Sequence, residues 1–391
     1  MKARASATPV LARESREGPR IARAQGSLVF DEDGREYVDF LAGWCVGNFG
    51  WGNKLLVEAA AQYDGPDYVY PGQDWGPWED LAKALVALAP GKLARCFRAT
   101  GGSEAVDLAL QAAQLHTGRG KFVALEGAYH GNTLATISIG DRESRRQLPN
   151  LLRGCQSLKP PLDAGALVRL DRLLRGDDVA AVIMEPVSIN LGVLVPDAKF
   201  MRELPRLCRR HGTLLIMDEV ATGFGRTGSL FACEQFGIQP DMMTIAKAVT
   251  GGLGGMGALL ATAPVARAME ENGNFYSTYG WHPRSVAVAL QTLEFIAANR
   301  DALMAQVAQT SAQIREGLAQ MPQLQAVQIN IAGLAIGIEL GDEARAAQLR
   351  RKCLREGLLL SAEGGTLLLV PALNIDAATV QRGLDVLARC L

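Results

Sequence analysis

Short apolar runs alternate with longer segments of helical periodicity through the middle of this 391-residue chain. Six runs are typical of buried strands, at residues 94–100, 121–127, 179–186, 213–219, 242–247 and 257–262. Between most of them, as in 104–115 and 199–210, apolar residues recur every three or four positions, which is the period of an amphipathic helix. The alternation predicts an α/β fold with a mostly parallel sheet covered by helices on both faces.

The pattern changes after Pro264. Two long helical stretches, 283–298 and 302–320, lead into shorter strand and helix patterns. The opening GSLVFDEDGREYVDF alternates like a hairpin with its turn at Asp33-Gly34, and it could pair with a sheet of the C-terminal part. We therefore predict three segments: an N-terminal arm and small-domain segment (1–45), a large domain (46–265), and a smaller C-terminal α+β domain (266–391) with an interdomain helix at about 283–299.

Composition and charge narrow the classes of partner. With 40 basic and 41 acidic residues the formal net charge is -1, which gives no electrostatic reason to expect nucleic acid or an anionic membrane. The longest apolar runs are far below the roughly 20 residues that span a bilayer, and the Arg-rich N-terminus lacks the apolar core of a signal peptide. The seven cysteines are scattered singly and the four histidines have no metal-ligand spacing, so we expect no metal site and a reducing, cytoplasmic setting. Small molecules are the expected partners.

Polar residues stand at the ends of several predicted strands. They are Thr100 to Ser103, Tyr129, His130, Glu185, Asp218, Glu219 and Lys247. Ligands of an open parallel sheet bind outside the carboxyl ends of its strands, so these side chains are predicted to converge on one crevice.

Two features compete as the functional element of the stretch MMTIAKAVTGGLGGMGALLAT. Gly252, Gly254 and Gly257 match the G-x-G-x-x-G pattern of dinucleotide-binding loops, whereas Lys247 follows a short apolar run. A dinucleotide loop needs a helix after its glycines, but the following ALLAT, which Pro264 closes, is too short and too strand-like. The glycines are therefore interpreted as tight turns close to a ligand.

A phosphate cradle, a carboxylate and an amine stand out among the strand-end residues. Gly101 to Ser103 lead directly into a predicted helix, so their backbone N–H groups and the helix dipole would face an anion. An ordinary glycine turn with serine as the N-cap of the helix would have the same sequence. Asp218 ends an apolar strand, where a carboxylate is costly without a cationic or protonated partner. A lysine desolvated beside a cofactor, as Lys247 would be, can attack a carbonyl group.

Each of these residues has an ordinary explanation on its own, as a cap, as an acid bonded to a loop or as a surface lysine. Together with the aromatic Tyr129, they match what pyridoxal phosphate requires. Lys247 would hold the aldehyde as a Schiff base, Asp218 would keep the ring nitrogen protonated, and Tyr129 would stack on the ring.

Three longer segments carry a resemblance to a known family. MEPVSINLG, together with LCRRHGTLLIMDEVATGFGRTGSLFACEQFGIQPDMMTIAKAVTGGL, resembles the signature of class III (ω-type, acetylornithine-like) pyridoxal-phosphate aminotransferases. GGSEAVDLALQAAQLHTGRGKFVALEGAYHG is similar to their phosphate and ring-stacking segment, and STYGWHPRSVAVALQTLE to their TYSGHP segment. The resemblance extends from about Gly26 to the C-terminus and implies the fold-type I transferase fold, with a mostly parallel seven-stranded sheet in the large domain.

The resemblance also implies roles for individual residues. Lys247 would be the Schiff-base lysine and the proton shuttle, and Asp218 would pair with the pyridine nitrogen. Val220 would pack on the ring face opposite Tyr129.

The cofactor's phosphate would be bound from two sides. Gly102 and Ser103 would bind it through their backbones. Thr278 would contact the phosphate of the neighbouring subunit's cofactor, so the resemblance implies a homodimer with shared active sites.

Departures from the family pattern concern the substrate. In ornithine-type members an arginine before a PPL pattern clamps a substrate carboxylate and a glutamate after EP pairs with it; here Leu368 and Asn190 stand at those positions. Ser361 and Asn132 likewise stand where related members have arginines. A bidentate arginine–carboxylate pair is a strong, charge-assisted interaction, so its loss argues against the usual 2-oxoglutarate or glutamate partner.

Two groups of residues remain as candidates for substrate contact. Arg142, Arg145 and Arg146 could replace the missing clamp, or they could form a solvated surface. Trp44 and Trp51 are typical of an aromatic pocket mouth or of simple packing.

The implied reaction is ping-pong transfer of an amino group between an amine donor and an aldehyde or ketone acceptor. At least one substrate is expected to lack a carboxylate near the reacting carbon. An aminomutase resembling glutamate-1-semialdehyde aminomutase, or an amino-acid epimerase, is the alternative within the family. A cofactor-free binding or scaffold protein is the alternative of another class.

Overall fold

The structure is a computed structural model that describes residues 18–140, 142–273 and 275–391. Most of the predicted arm, residues 1–17, lies outside the described residues. The strands are β1 (Ile21–Gln25), β2 (Leu28–Asp31), β3 (Glu36–Asp39), β4 (Leu93–Ala99), β5 (Lys121–Leu125), β6 (Cys155–Leu158), β7 (Val179–Met184), β8 (Leu214–Asp218), β9 (Met242–Ile245), β10 (Gly257–Thr262), β11 (Gln328–Ala332), β12 (Ala335–Glu339), β13 (Leu358–Leu359), β14 (Ser361–Glu363) and β15 (Thr366–Leu369). The helices are α1 (Ala42–Cys45), α2 (Lys54–Ala61), α3 (Gly76–Leu88), α4 (Gly102–Thr117), α5 (Leu134–Ile139), α6 (Arg142–Arg146), α7 (Ala164–Leu174), α8 (Ala198–Arg210), α9 (Ala263–Asn272), α10 (Pro283–Ala319), α11 (Glu343–Arg355) and α12 (Ala377–Cys390). Short 3₁₀ turns occur at Ala232–Phe236, Lys247–Thr250 and Pro322–Leu324.

Seven strands form the central sheet, in the order β4-β10-β9-β8-β7-β5-β6. Strands β5 to β9 run parallel to one another, and β10 is antiparallel to both β9 and β4. Every residue of β7 and β8 is buried, as expected of strands that helices cover on both faces. The predicted α/β fold with a mostly parallel sheet is confirmed, and all six predicted strands are present.

The edge strand β6 is one element that the apolar pattern did not predict. Its four residues, CQSL, are mostly half-buried, and it pairs with β5 alone. An edge strand is covered less completely than a central one, so its sequence carries a weaker apolar signal.

Two smaller four-stranded sheets have the orders β1-β2-β3-β13 and β11-β12-β15-β14. The predicted hairpin is β2–β3, and it turns at Asp33-Gly34, where Gly34 has a φ of 80°. The Oδ1 atom of Asp31 accepts hydrogen bonds from the backbone N–H groups of Asp33 and Arg35, at 3.1 and 2.8 Å. β3 then pairs in parallel with β13, so the β2–β3 hairpin joins a strand from near the C-terminus. The division of the chain into three segments stays a prediction.

The two helical stretches predicted at 283–298 and 302–320 are both present, as the two parts of α10. This helix is kinked at Asn299, whose φ and ψ are -126° and 16°. The Asn299 side-chain amide donates to the carbonyl oxygen of Phe295 at 2.9 Å, and such local bonds compete with the helical backbone pattern. No helix of the described residues, α10 included, is both long and apolar enough to cross a membrane.

The turn of the β11–β12 hairpin packs tightly against the loop that follows β8. A Cβ atom on Gly333 would lie 2.4 Å from the carbonyl carbon of Thr227 and 2.5 Å from the backbone nitrogen of Gly228. The backbone N–H of Leu334 donates to the carbonyl oxygen of Arg226 at 2.9 Å. Because these are backbone atoms that cannot move aside, the contact between the two loops requires glycine.

Gly333→Ala is expected to lower the free energy of unfolding more than Gly364→Ala does. Both glycines have a positive φ, 55° and 53°, but a Cβ atom on Gly364 would meet nothing within 4 Å. The left-handed backbone costs either alanine about 1–2 kcal/mol, and the clash adds about 1–3 kcal/mol in Gly333→Ala alone. Urea denaturation measures both losses, and equal losses would contradict the tight contact.

Candidate active site

Polar residues lie at or next to the carboxyl ends of three neighbouring strands of the central sheet. Met184 of β7 is paired with Met217 of β8, and Asp218 of β8 with Thr244 of β9. Glu185, which directly follows Met184, therefore stands in a row with Asp218 and Thr244 across the sheet. The structure brings these side chains together at the carboxyl ends of the strands, where ligands of such sheets bind.

Asp218 is buried, and both of its carboxylate oxygens have partners. Oδ1 accepts hydrogen bonds from the Thr244 hydroxyl at 3.0 Å and from the Val220 backbone N–H at 3.1 Å. Oδ2 lies 2.6 Å from Nδ1 of His130. Since an ionised carboxylate only accepts, His130 Nδ1 carries the hydrogen. Three donors thus fix the orientation of the Asp218 carboxylate.

His130 is a site residue to which the sequence gave no role. The sequence singled it out only as one polar residue near a strand end. Its partner Asp218 is 88 residues away along the chain, so no local pattern could reveal the pair. Its position directly after Tyr129 was the available signal.

Glu185 is the second carboxyl group of the row. Burial, and next the negative charge of Asp218, hold the pKa of Glu185 well above its usual range, while the positive charge of Lys247 acts in the opposite direction. Its Oε2 atom is buried and has no hydrogen-bond partner among the described residues. A raised pKa favours the protonated carboxyl group, which can donate a hydrogen bond.

Lys247 begins the 3₁₀ turn that follows β9, and its backbone is in the left-handed region with a φ of 49°. Trp44 and Val193 share this unusual conformation, with φ values of 58° and 59°. Non-glycine residues adopt it at an energetic cost and concentrate at functional sites. The strained backbone is thus a second unusual feature of Lys247, beside its place at the end of a buried strand.

The predicted phosphate cradle is the N-terminus of α4, a helix of 16 residues. Its N-cap residue, Gly101, provides no side-chain cap, so the first N–H groups of the helix are available to an anion. A Cβ atom on Gly102 would lie 2.9 Å from Cγ1 of Val220, so two predicted cofactor contacts are adjacent. The Ser103 hydroxyl accepts a hydrogen bond from the backbone N–H of Asn132 at 3.1 Å, which joins the cradle to the loop that carries Tyr129.

The glycine-rich loop after Lys247 packs against this cradle. A Cβ atom on Gly257 would lie 2.4 Å from the carbonyl oxygen of Gly101, and one on Gly252 would lie 3.1 Å from the Trp51 ring. β10 begins at Gly257. The glycines therefore allow close approach of neighbouring chain segments, and a strand rather than a phosphate-binding helix follows them, as expected. Their closeness to a ligand stays a prediction.

The position of the missing clamp arginine is apolar. Leu368 is fully buried in a cluster with Ile189 and Ala221, and Trp44 packs against that cluster. Leu368 faces Gly337 and Ser361 across its sheet. We call the side chains of Leu368, Ile189 and Ala221 the apolar wall; none of the three can form a hydrogen bond.

Trp51 is held inside the fold. Its ring lies against Gly43 and Gly47, and its indole N–H donates to Oδ2 of Asp39 at 2.7 Å. These contacts match the packing alternative for Trp51.

The other predicted substrate and cofactor residues lie farther out. Tyr129 is 60% exposed, and Thr278 is exposed as well. Arg145 and Arg146 line a cavity of about 530 Å³ near the β5–β6 edge of the sheet, together with Glu126. The side chain of Arg142 lies outside the described part of the chain. Replacement of the clamp by these arginines stays a prediction.

The residues at this edge fit pyridoxal phosphate. The uncapped N-terminus of α4 suits a phosphate, and the fixed Asp218 carboxylate suits a protonated ring nitrogen. The amine of Lys247 suits an aldehyde. Glu185 Oε2 and His130 Nε2 are buried without a partner among the described residues, and buried polar groups normally have one.

Comparison with known proteins agrees with this geometry. The family described as aminotransferase class-III matches residues 11–391. An acetylornithine aminotransferase of Methanothermobacter thermautotrophicus is 33% identical over 378 residues, which cover 95% of this chain and 93% of the relative.

Two solved structures are similar over nearly their full length. The ω-transaminase from Pseudomonas jessenii in complex with PMP has a TM-score of 0.89 at 27% identity, covering 95% of this chain and 91% of that one. The amine transaminase from an uncultivated Pseudomonas species, in its PLP-bound form, has a TM-score of 0.89 at 28% identity and full coverage of both chains, 100% each. Both neighbours hold their cofactor in the fold described above.

Glu185→Gln is expected to stabilise the cofactor-free protein by an amount that grows with pH. The folded-state pKa of Glu185 is raised above the ordinary 4.5 by burial, so the folded protein retains a proton that the unfolded chain releases. The tighter binding of this proton by the folded protein stabilises the native state fully below about pH 4.5. The stabilisation is lost as pH rises toward the folded-state pKa of Glu185. Glutamine does not titrate, so the Glu185→Gln variant does not lose stability in this way as pH rises.

Urea denaturation at about pH 5 and about pH 7.5 measures the effect. Glu58→Gln, at an exposed position of α2, is the control and should show no comparable trend. A difference between Glu185→Gln and the unsubstituted protein that stays constant with pH would contradict the prediction.

Proposed function

The chain belongs to the class-III aminotransferase family, and we propose that at least one of its substrates lacks a carboxylate near the reacting carbon. It is a pyridoxal-phosphate-dependent aminotransferase of fold type I, with small-molecule amine and carbonyl substrates. Its relatives are transaminases, which favours transfer to a second substrate over the internal amino shift of a mutase or an epimerisation.

The apolar wall at Leu368 carries the proposal about the substrate. A carboxylate placed against Leu368, Ile189 and Ala221 would lose its water without gaining a cationic or donor group. An uncharged chain or ring would instead gain from removal of its apolar surface from water. We therefore propose an amine donor and an aldehyde or ketone acceptor, of which at least one presents an uncharged group here.

The cofactor would be held by residues from four parts of the chain. We propose that the backbones of Gly102 and Ser103 bind its phosphate and that Tyr129 and Val220 lie on its two ring faces. The contact between Gly102 and the Val220 side chain supports this arrangement. When bound, pyridoxal phosphate would supply an aldehyde group that accepts the amino group and a ring that withdraws electrons from the substrate carbon.

Two side chains would handle protons. Asp218, oriented by His130, Thr244 and the Val220 N–H, would hold the proton on the ring nitrogen. Lys247 would bind the aldehyde and, once released by the incoming amine, would carry a proton from the substrate carbon through its Nζ atom. The same two residues serve both halves of a ping-pong reaction, because the second half reverses the first.

We also propose a homodimer that shares its active sites. An exposed aromatic patch, Tyr68, Tyr70, Tyr276 and Tyr279, flanks Thr278, with exposed fractions of 41%, 54%, 56% and 63%. Its rings pair between the two segments, Tyr68 with Tyr279 at 6.0 Å and Tyr70 with Tyr276 at 6.5 Å. Apolar patches of this kind mark interaction surfaces, which supports a contact of Thr278 with the neighbouring subunit's cofactor.

The seven free cysteines support a cytoplasmic location.

The visible absorption spectrum tests the reaction and the substrate class. The purified protein should show the band of covalently held pyridoxal phosphate, and Lys247→Ala should not, whereas the surface variant Lys159→Ala should keep it. An amine without a carboxylate should remove the band, and a simple aldehyde or ketone should restore it. Restoration by 2-oxoglutarate should be about 10–100-fold slower, since charged hydrogen bonds of the clamp are missing.

Three outcomes would contradict these proposals. Amino acids that remove the band as fast as simple amines, together with equally fast restoration by 2-oxoglutarate, would contradict the substrate class, and the absence of any band would contradict the role of Lys247. Amino movement that needs no acceptor would favour the mutase or epimerase.

Complementation between two variants tests the shared site. Lys247→Ala and Thr278→Ala should each be impaired at limiting cofactor, the latter by about 10–100-fold in cofactor affinity because a charge-assisted bond is lost. In a mixed dimer one site would carry both defects and the other neither. Activity above that of either variant after mixing and refolding is therefore expected, and its absence would contradict a role of Thr278 across the interface.

A further inference from the structure

Only one end of the Asn190 side-chain amide has a hydrogen-bond partner among the described residues. It lies in the loop after β7, and its Nδ2 atom donates to the carbonyl oxygen of Gly127 at 2.9 Å. Its Oδ1 atom is buried and has no hydrogen-bond partner among the described residues. A carbonyl oxygen can only accept, so the amide nitrogen must face Gly127, and the free end of Asn190 must be an acceptor.

The free acceptor lies in the active-site region. Gly127 comes two residues before Tyr129, and Asn190 comes five residues after Glu185. Ile189, its neighbour, belongs to the apolar cluster around Leu368. The Ser188 hydroxyl, on the other side of Ile189, is also buried without a partner in the described chain. The apolar wall is therefore interrupted by uncharged polar atoms.

A buried acceptor without a partner is unfavourable, because it has given up its hydrogen bonds to water. Native proteins rarely leave such an atom unpaired. No main-chain or side-chain donor of the described residues supplies the missing bond to Asn190 Oδ1. A bound molecule that offers a donor group would relieve this cost, and one that offers a carboxylate would increase it by placing two acceptors face to face.

We propose that Asn190 Oδ1 is a specificity-determining acceptor that selects a hydroxyl group on the substrate. This inference rests on the proposed function, since it concerns the same active site. A hydroxyl group suits the surroundings because it donates to Oδ1 while remaining uncharged beside Ile189 and Leu368. The preferred substrate class is a hydroxylated amine, or the corresponding hydroxylated aldehyde or ketone, without a carboxylate.

Matched substrates test the proposal in the complete enzyme. A panel of primary amines is assayed with each amine beside its analogue carrying one hydroxyl group and beside its analogue carrying one carboxylate. For at least one chain length the hydroxylated amine should have a kcat/KM about tenfold or more above that of the plain amine, as expected from one hydrogen bond. The carboxylate analogue should be the poorest of the three.

Asn190→Leu should abolish this discrimination, so that the hydroxylated and plain amines react within about twofold of each other. Asn190→Ala serves the same purpose if the leucine variant does not fold. Asn330→Leu is the matched control. The Asn330 amide donates to the carbonyl oxygen of Gly192 in the same loop, at 3.0 Å, so its loss disturbs the loop while leaving Oδ1 of Asn190 in place. It should lower kcat/KM for both amines equally.

A second readout does not depend on turnover. The amine concentration that half-removes the visible band should differ between hydroxylated and plain amines in the unsubstituted enzyme and coincide in Asn190→Leu. Equal half-saturation and equal kcat/KM in the unsubstituted enzyme would overturn the inference, as would an Asn190→Leu variant that keeps the discrimination. If no amine removes the band from the unsubstituted enzyme, the proposed function itself has failed.

Discussion

A buried carboxylate at the end of an apolar strand is the constraint on which the rest of the site depends. Asp218 is 3% exposed, and removal of an ionised group from water is costly unless donors replace the lost hydration. The surrounding chain supplies them from three directions, through His130, Thr244 and the Val220 backbone. Two of these donors lie in segments that carry proposed cofactor contacts: His130 adjoins Tyr129, and Val220 packs on Gly102. The groups that stabilise one buried charge therefore also bring the proposed cofactor contacts together.

The loop after Asp218 connects this site to distant parts of the fold. Glu219 is fully buried and accepts hydrogen bonds from the backbone N–H groups of Ala232 and Cys233 at 3.0 and 2.8 Å, which closes the loop. Arg226, also fully buried, donates to Asn48 Oδ1 at 2.6 Å and to the carbonyl oxygen of Pro371 at 2.5 Å. Pro371 is three residues after Leu368. One arginine thus positions the wall at Leu368 relative to the strand that ends in Asp218.

The proposed substrate side lacks the ion pair that the family resemblance implies. Leu368 and Asn190 stand at the two positions of the missing ion pair, and the structure gives both a local explanation: the leucine fills an apolar cluster, and the asparagine binds the Gly127 carbonyl. Loss of one partner alone would leave a buried charge without compensation. With both partners replaced, no charge is left without compensation, and the polar atoms beside the apolar cluster are the uncharged ones of Ser188 and Asn190.

The sequence by itself determined the α/β sheet, the family and the positions of Lys247 and Asp218, because strand periodicity and strand-end residues are local features that can be read along the chain. It did not predict the edge strand β6, since a half-exposed strand carries a weaker periodic signal. Only the tertiary structure decided that His130 orients Asp218, that Arg226 reaches Pro371 and that Asn190 keeps a free acceptor. These are contacts between residues far apart in sequence, and they depend on how strands, loops and sheets pack in space.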